Sequence, residues 1–149
     1  MRVVNSLLIE NNQMLLLYKP SRNKWFLPGG KAEFGEDVVT TGCREFQEET
    51  GLTLHDATLQ AVTTVVVEED GNHREWLLFT LKSHLSSGKV LNSTHEGVLQ
   101  WHSVEAVKTL EMFEGDRYII EQLLAGDKHV ITTQMYTKDY DLIELKINK

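Results

Sequence analysis

Glu45, Glu48 and Glu49 stand at i, i+3 and i+4 in the run Arg44-Glu45-Phe46-Gln47-Glu48-Glu49. Wound as a helix, that spacing puts all three carboxylates on one face. Like charges there repel, and Glu48 and Glu49 fall in the last turn, where the helix dipole disfavours anions. The face costs stability unless a cation occupies it. Oxygen ligands without His or Cys suit a hard divalent ion, Mg²⁺ or Mn²⁺. Arg44 can pair with Glu48 along the helix, or with Glu36 if the preceding loop folds back. A glutamate-rich face is also what simple solvation produces, but the segment before it argues for a site. Trp25-Phe26-Leu27-Pro28-Gly29-Gly30 is an aromatic, apolar approach to a double-glycine turn, which would let backbone groups come close to a ligand.

These residues need a helix to hold them, and the pattern predicts one from Asp37 to Thr50. Val39, Cys43 and Phe46 recur at three and four residues on a face adjacent to the glutamates, and Gly51 stands at the stop. Strand-like runs cover Val3 to Ile9 and Met14 to Tyr18, joined by Asn11-Asn12, and Ala61 to Glu68 and His73 to Leu81, flanking Asp70-Gly71. Val98 to His102 is a short extended piece, and Ser103 can cap a brief helix. A second helix is predicted from about Asp116 to Leu124, ending at Gly126, followed by strands over Val130 to Met135 and Leu142 to Ile147. Strands and helices are interspersed throughout, so the expected class is α/β or α+β with a mixed sheet.

The chain has 149 residues, 41% of them hydrophobic and 25% charged, which predicts one domain over residues 1–149 with a core that needs no staple. Lys and Arg number 15 against 22 for Asp and Glu, a net charge of −7. That balance argues against wrapping duplex nucleic acid, whose affinity comes from basic residues on phosphates. A small phosphorylated substrate remains open, because bound metal inverts the local field. A lone Cys43, expected to be a small core residue, excludes a disulfide framework and a cysteine zinc site. The histidines show no metal-ligand spacing and are read as structural or surface residues. No apolar run suits a membrane span, and the start lacks the basic head of a signal peptide, so a cytoplasmic setting without membrane contact is expected.

The stretch from Gly30 to Leu52 resembles the Nudix box, G-x5-E-x7-R-E-U-x-E-E-x-G-U with U a bulky apolar residue. Gly30, Glu36, Arg44, Glu45, Phe46, Glu48, Glu49, Gly51 and Leu52 match it without a departure. The resemblance implies the Nudix fold, an α/β/α sandwich, and hydrolysis of a nucleoside diphosphate linked to a further group. It also implies metal on Glu45, Glu48, Glu49 and the Gly30 carbonyl, with Glu36 and Arg44 supporting the loop and helix. Divalent ions would neutralise the diphosphate and acidify an attacking water, and a nearby carboxylate would take the proton. In the family that base is often a box glutamate and sometimes an acid from a later loop. Glu96, in Thr94-His95-Glu96-Gly97, is the candidate for the later loop as base or metal contact, or else an exposed acid. His95 beside it is read as incidental.

Substrate choice lies outside the box. Both prolines precede it, so the downstream proline of many ADP-ribose hydrolases and the proline-rich motif of NADH hydrolases are absent. Tyr118 lies too far along to match the tyrosine of many dinucleoside polyphosphate hydrolases. What remains is similar to the MutT branch, which cleanses nucleoside triphosphates such as 8-oxo-dGTP. Lys19-Pro20 through Gly30 is similar to its approach to the box, and Met112 to Tyr118 to the region that binds an oxidised purine. Asp116 is then a candidate base reader or a helix N-cap. Phe113 or Trp25 would stack on a base or serve the core, and Lys19, Arg22, Lys24 and Lys31 would meet phosphates or solvent. The expected partner is a small nucleotide, the expected assembly a monomer or homodimer. The alternatives are another nucleotide, including RNA 5′ ends, or a nucleotide sensor that keeps the fold without the catalysis.

Overall fold

The computed structural model describes residues 1–148. Two hairpins organise it. β1 (Arg2–Glu10) turns into β2 (Gln13–Lys19) through Asn11 and Asn12, at φ 52° and 60°. β6 (Thr58–Glu69) turns into β7 (Asn72–Ser83) through Asp70 and Gly71, at φ 45° and 85°. Paired left-handed residues match the twist of a tight hairpin, which is why Asn-Asn and Asp-Gly stand there. Later come β10 (Gly97–Ser103), β11 (Val130–Tyr136) and β12 (Leu142–Asn148).

The strands run in the order β12-β11-β6-β7-β1-β2-β10. β1 is parallel to β7 and β11 to β6, while the remaining neighbours are antiparallel, so the sheet is mixed. Short pieces complete it. β3 (Lys24–Phe26) pairs with β2, β4 (Gly29–Lys31) with the first half of β1, and β9 (Ser93–Thr94) with β10. β5 (Leu52–Leu54) and β8 (Ser86–Gly88) form a separate ribbon. Strands of two or three residues carry no periodicity, which is why the sequence pattern did not predict them.

Two helices cover opposite faces. Leu8, Leu15 and Leu17 join Phe46 of α1 (Val38–Thr50) in one core, and Leu7, Met14 and Leu16 join Ile119, Ile120 and Leu123 of α2 (Glu114–Leu124) in the other. Successive side chains of a strand point to opposite faces, so Leu7-Leu8 of β1 and Met14 to Leu17 of β2 read as unbroken apolar runs because both faces are buried there. α1 starts at Asp37, whose carboxylate accepts the Thr40 N–H at 2.8 Å, and stops at Gly51, φ 85°. Phe46 is its fully buried anchor, Cys43 is half-buried beside it, but Val39 is exposed instead of packed. Ser103 precedes a short 3₁₀ turn over Val104–Lys108 yet gives it no side-chain cap. No helix among the described residues is long and apolar enough to cross a membrane.

Candidate active site

Arg44 fastens the loop before α1 to the helix. Its Nε and Nη2 donate to the two Glu36 carboxylate oxygens at 2.8 and 2.9 Å, and Nη2 also donates to the Lys31 carbonyl at 3.2 Å. Nη1 donates to Glu45 at 3.0 Å and to Glu48 at 3.4 Å. Both pairings that the sequence left open are therefore made at once. A planar fork on a carboxylate is a strong, directional pair. It holds the Glu36 carboxyl at about 2, with the Thr41 hydroxyl also donating, and raises the Arg44 guanidinium in turn. Arg44 lies behind the cleft wall and not in its lining.

That pairing changes the charge argument. Glu45 and Glu48 share a cation already present in the chain, whereas Glu49 forms no ion pair among the described residues. Glu49 is buried, and among the described residues its Oε2 has no hydrogen-bond partner. Desolvation first, then the charges of Glu96 and Glu45, push its carboxyl up to about 7, with Lys19 and the Gly29 amide opposing. Gly29 and Gly30 are not a turn. They lie in β4, opposite Asn5 and Val4 of β1. Their smallness serves close approach: a Cβ on Gly30 would lie 2.2 Å from the Glu45 carboxyl carbon.

Glu96 sits in the turn between β9 and β10, where its N–H donates to the Thr94 hydroxyl at 3.0 Å. Its carboxylate is 3.8 Å from the Lys19 ammonium. Glu45, Glu48, Glu49, Glu96, Lys19, Lys31 and the Gly30 backbone line one end of a cavity of about 640 Å³, and His95 lines it too. Among the described residues no three His, Cys, Asp or Glu side chains already converge as a metal-ligand set. The donors nonetheless suit a hard cation: oxygen only, with a buried unpartnered carboxylate oxygen and a glycine cradle beside it.

The other end of the cavity is aromatic. Phe26, Trp76, Phe113, Tyr136 and Tyr140 line it together with Asp116 and Gln134. Asp116 is not the N-cap of α2. The helix begins two residues earlier, after Phe113, and Asp116 sits in its first turn. Desolvation pushes the Asp116 carboxyl up to about 6, with Lys19 opposing. The first turn lies flat on β11. Gln134 Nε2 donates to the Gly115 carbonyl at 3.1 Å, the Tyr136 hydroxyl donates to Gln134 Oε1 at 2.7 Å, and a Cβ on Gly115 would meet both side chains. Burial and the nearby Asp116 charge hold the Tyr136 phenol above its ordinary range.

Two basic candidates fall elsewhere. Arg22 lies 4.9 Å from the Tyr140 ring centroid in a neighbouring cavity, and Lys24 lies 5.6 Å from that of Phe113; neither lines the glutamate cavity. Trp25 is no base platform, because it packs edge-on against Tyr18 and His102. Gln134, Tyr136, Trp76 and Tyr140 went unmarked in the sequence. A signal for Gln134 was present, since Val130, Thr132, Gln134 and Tyr136 alternate on the buried side of β11. A glutamine on a buried strand face needs partners.

The NUDIX domain family matches residues 1–123. The Nudix hydrolase YvcI of Bacillus subtilis (strain 168) is 36% identical over 149 residues, covering 99% of this chain and 94% of that protein. The crystal structure of a MutT protein from Bacillus halodurans superimposes with a TM-score of 0.95 at 36% identity, over 99% of this chain and 97% of that one. The NUDIX domain of Shewanella oneidensis NrtR, complexed with ADP ribose, gives a TM-score of 0.70 at 16% identity over 84% and 86% of the two chains. At that identity the likeness is one of fold, and the mixed sheet with two helices is the architecture the chain shares with these relatives.

Proposed function

Because this chain belongs to the Nudix hydrolase family, we propose that it is a divalent-metal-dependent nucleoside triphosphate pyrophosphohydrolase acting on oxidised purine nucleotides such as 8-oxo-dGTP. The observation that carries the reading is one cavity lined by two unlike sets of side chains. Glu45, Glu48, Glu49 and Glu96 contribute the acids of its lining, and Phe26, Trp76, Phe113, Tyr136 and Tyr140 its rings, with Asp116 in the same lining. A nucleoside triphosphate has the same polarity, a polyanion joined to a flat base that offers donors.

Glu45, Glu48, Glu49 and the Gly30 carbonyl would hold Mg²⁺ or Mn²⁺. Bound there, the ion supplies neutralisation of the diphosphate charge and acidification of the attacking water. Arg44 keeps Glu45 and Glu48 oriented through its fork on Glu36. Lys19, with its ammonium beside Glu96, bonds a phosphate oxygen. Glu96 takes the water proton as the water oxygen bonds to phosphorus and the phosphorus–oxygen anhydride bond breaks, releasing pyrophosphate, and Glu45 is the next candidate for that role. Asp116 accepts from the N1–H and exocyclic amine of a guanine edge, which no pyrimidine presents. The MutT-type relative from Bacillus halodurans, alike over nearly the whole chain, supports this substrate class.

A turnover screen over natural and oxidised nucleoside triphosphates with Mg²⁺ tests the reading. Pyrophosphate release with preference for 8-oxo-dGTP is expected. Orthophosphate release, or preference for a nucleotide without a guanine-like edge, would refute it.

A further inference from the structure

Beside the glutamate cavity lies a second one of about 780 Å³, and Tyr140, Phe113, Phe26, Trp76, Lys19 and Glu96 are among the residues that line both. Tyr140 belongs to neither the Nudix box nor α2. It stands in the turn between β11 and β12, held by backbone bonds from Tyr140 to Thr137 and from Thr137 to Asp141, each 2.9 Å. Its φ of 65° is rare for a bulky side chain, so the surrounding contacts must hold it there.

Those contacts come from three separate parts of the chain. Phe113, at the start of α2, stacks on the ring at 5.5 Å and 17°. Arg22, from the turn after β2, brings its guanidinium to 4.9 Å from the ring centroid. Arg74 of β7 donates to the phenol oxygen at 3.0 Å while Glu69 holds its Nε at 2.9 Å. A hairpin tip that served only as a turn would need none of this. The result is a fixed aromatic plane at the boundary of the two cavities. Rings stacked at 5.5 Å leave no gap for a third ring between them, so a bound base must lie inside this wall and not within it.

We propose that Tyr140 is a specificity-determining residue: its ring is the partition between the two cavities and limits how much bulk a nucleotide can carry beyond the site. The inference rests on the nucleotide-hydrolase reading above. Tyr140 stands between β11 and β12, on a different part of the chain from α1, so shortening its side chain would open one cavity toward the other without disturbing Glu45, Glu48 or Glu49.

The test compares dGTP with N-methylanthraniloyl-dGTP, which carries an extra aromatic ring on its sugar. Tyr140→Ala and Tyr140→Leu should each raise kcat/KM for the labelled nucleotide relative to dGTP by about tenfold. Tyr140→Phe keeps the ring and should hold the wild-type ratio within about twofold. Leucine keeps apolar bulk in the turn and guards against an alanine variant that fails to fold. Wild-type ratios in the alanine and leucine variants would overturn the inference. If the wild-type chain hydrolyses neither nucleotide, the hydrolase substrate reading fails, and fluorescence titration of the labelled nucleotide in Ca²⁺ still reads the wall. There, about tenfold tighter binding by Tyr140→Leu upholds the partition, and equal affinity overturns it.

Discussion

The carboxylate of Glu45 rests against the backbone of Gly30, at a point where a Cβ would come within 2.3 Å of Glu45 Oε2. Gly30 is not in a left-handed conformation, so alanine costs little in backbone terms. The cost falls on Glu45, which must leave its place and its 3.0 Å contact with Arg44. Gly30→Ala should therefore lower kcat/KM by at least about tenfold, the scale of a disturbed metal environment. The melting temperature should move by only a few degrees. Steady-state kinetics and thermal melting together check this, and wild-type kinetics in the variant would remove the cradle role.

Glu49 gives a prediction with a sign. Its carboxyl sits at about 7, against an ordinary value of 4.5. The native state therefore keeps a proton that the unfolded chain gives up, and the metal-free protein loses stability as pH rises through that window. Mg²⁺ should raise the melting temperature more at about pH 8 than at about pH 6, because it must displace the Glu49 proton at the lower pH. Glu49→Gln should flatten the metal-free profile and lower activity by at least about tenfold. Melting curves indifferent to Mg²⁺ at both pH values would refute the metal site.

Much of this architecture was legible because its signals are local. Asp37, Gly51, Asn11-Asn12 and Asp70-Gly71 each act within a few residues, and each falls where its cap or turn chemistry predicts. The box carboxylates were visible for the same reason, since one helix carries Glu45, Glu48 and Glu49. The base end was not. Asp116, Gln134, Trp76 and Tyr140 come together only when β11, β7 and the last hairpin align, and no spacing records that. Asp116 shows the limit well: the same acid suits an N-cap or the first turn, and the choice was made by Gly115 seating against Gln134. The double glycine misled in the same way. Its smallness answers to Glu45 and to β1, and its own backbone is extended.

Lys82 shows how the far end of α2 is fixed. It is buried in β7, and its ammonium donates to the carbonyls of Leu123 at 2.6 Å and Gly126 at 3.1 Å and pairs with Asp127 at 3.2 Å. A strand lysine thus caps a helix that has no basic residue in its own last turn. Lys82→Met keeps the aliphatic stem but leaves those carbonyls without a donor. It should cost about 1–3 kcal/mol, the scale of unsatisfied buried acceptors. Denaturant melts check this. Unchanged stability would mean that water takes over the cap.

Glu96 separates a role in the reaction from one in packing. Among the described residues its carboxylate pairs with Lys19 alone, at 3.8 Å, so Glu96→Gln should leave the fold alone. If Glu96 takes the proton, kcat should fall by about a hundredfold or more with KM little moved. Kinetics near wild type would return the base role to Glu45.

Asp116 sets stability against recognition. Its carboxyl is pushed up to about 6 from an ordinary 3.8 by desolvation. A raised carboxyl opposes folding once ionised, so the wild-type protein should lose stability as pH rises between those values and stay lower above them. Asp116→Asn removes that charge. Since Asp116 does not cap α2, no capping loss offsets the gain. The variant should be more stable than wild type at about pH 7, by up to about 3 kcal/mol, and no more stable near pH 3.5, about where the wild-type carboxyl is protonated. Recognition should move the other way. Two carboxylate oxygens match the paired donors of a guanine edge, whereas an amide presents one acceptor and one donor. Asp116→Asn should therefore lose about 1.5–3 kcal/mol in kcat/KM for guanine nucleotides, the scale of a hydrogen bond to a charged group. Its ratio of dATP to dGTP turnover should rise, because adenine offers the complementary acceptor and donor. Melting at several pH values and kinetics on both nucleotides read the two halves separately. A stabilised variant with full activity and unchanged purine preference would leave Asp116 a desolvated first-turn acid with no part in reading the base.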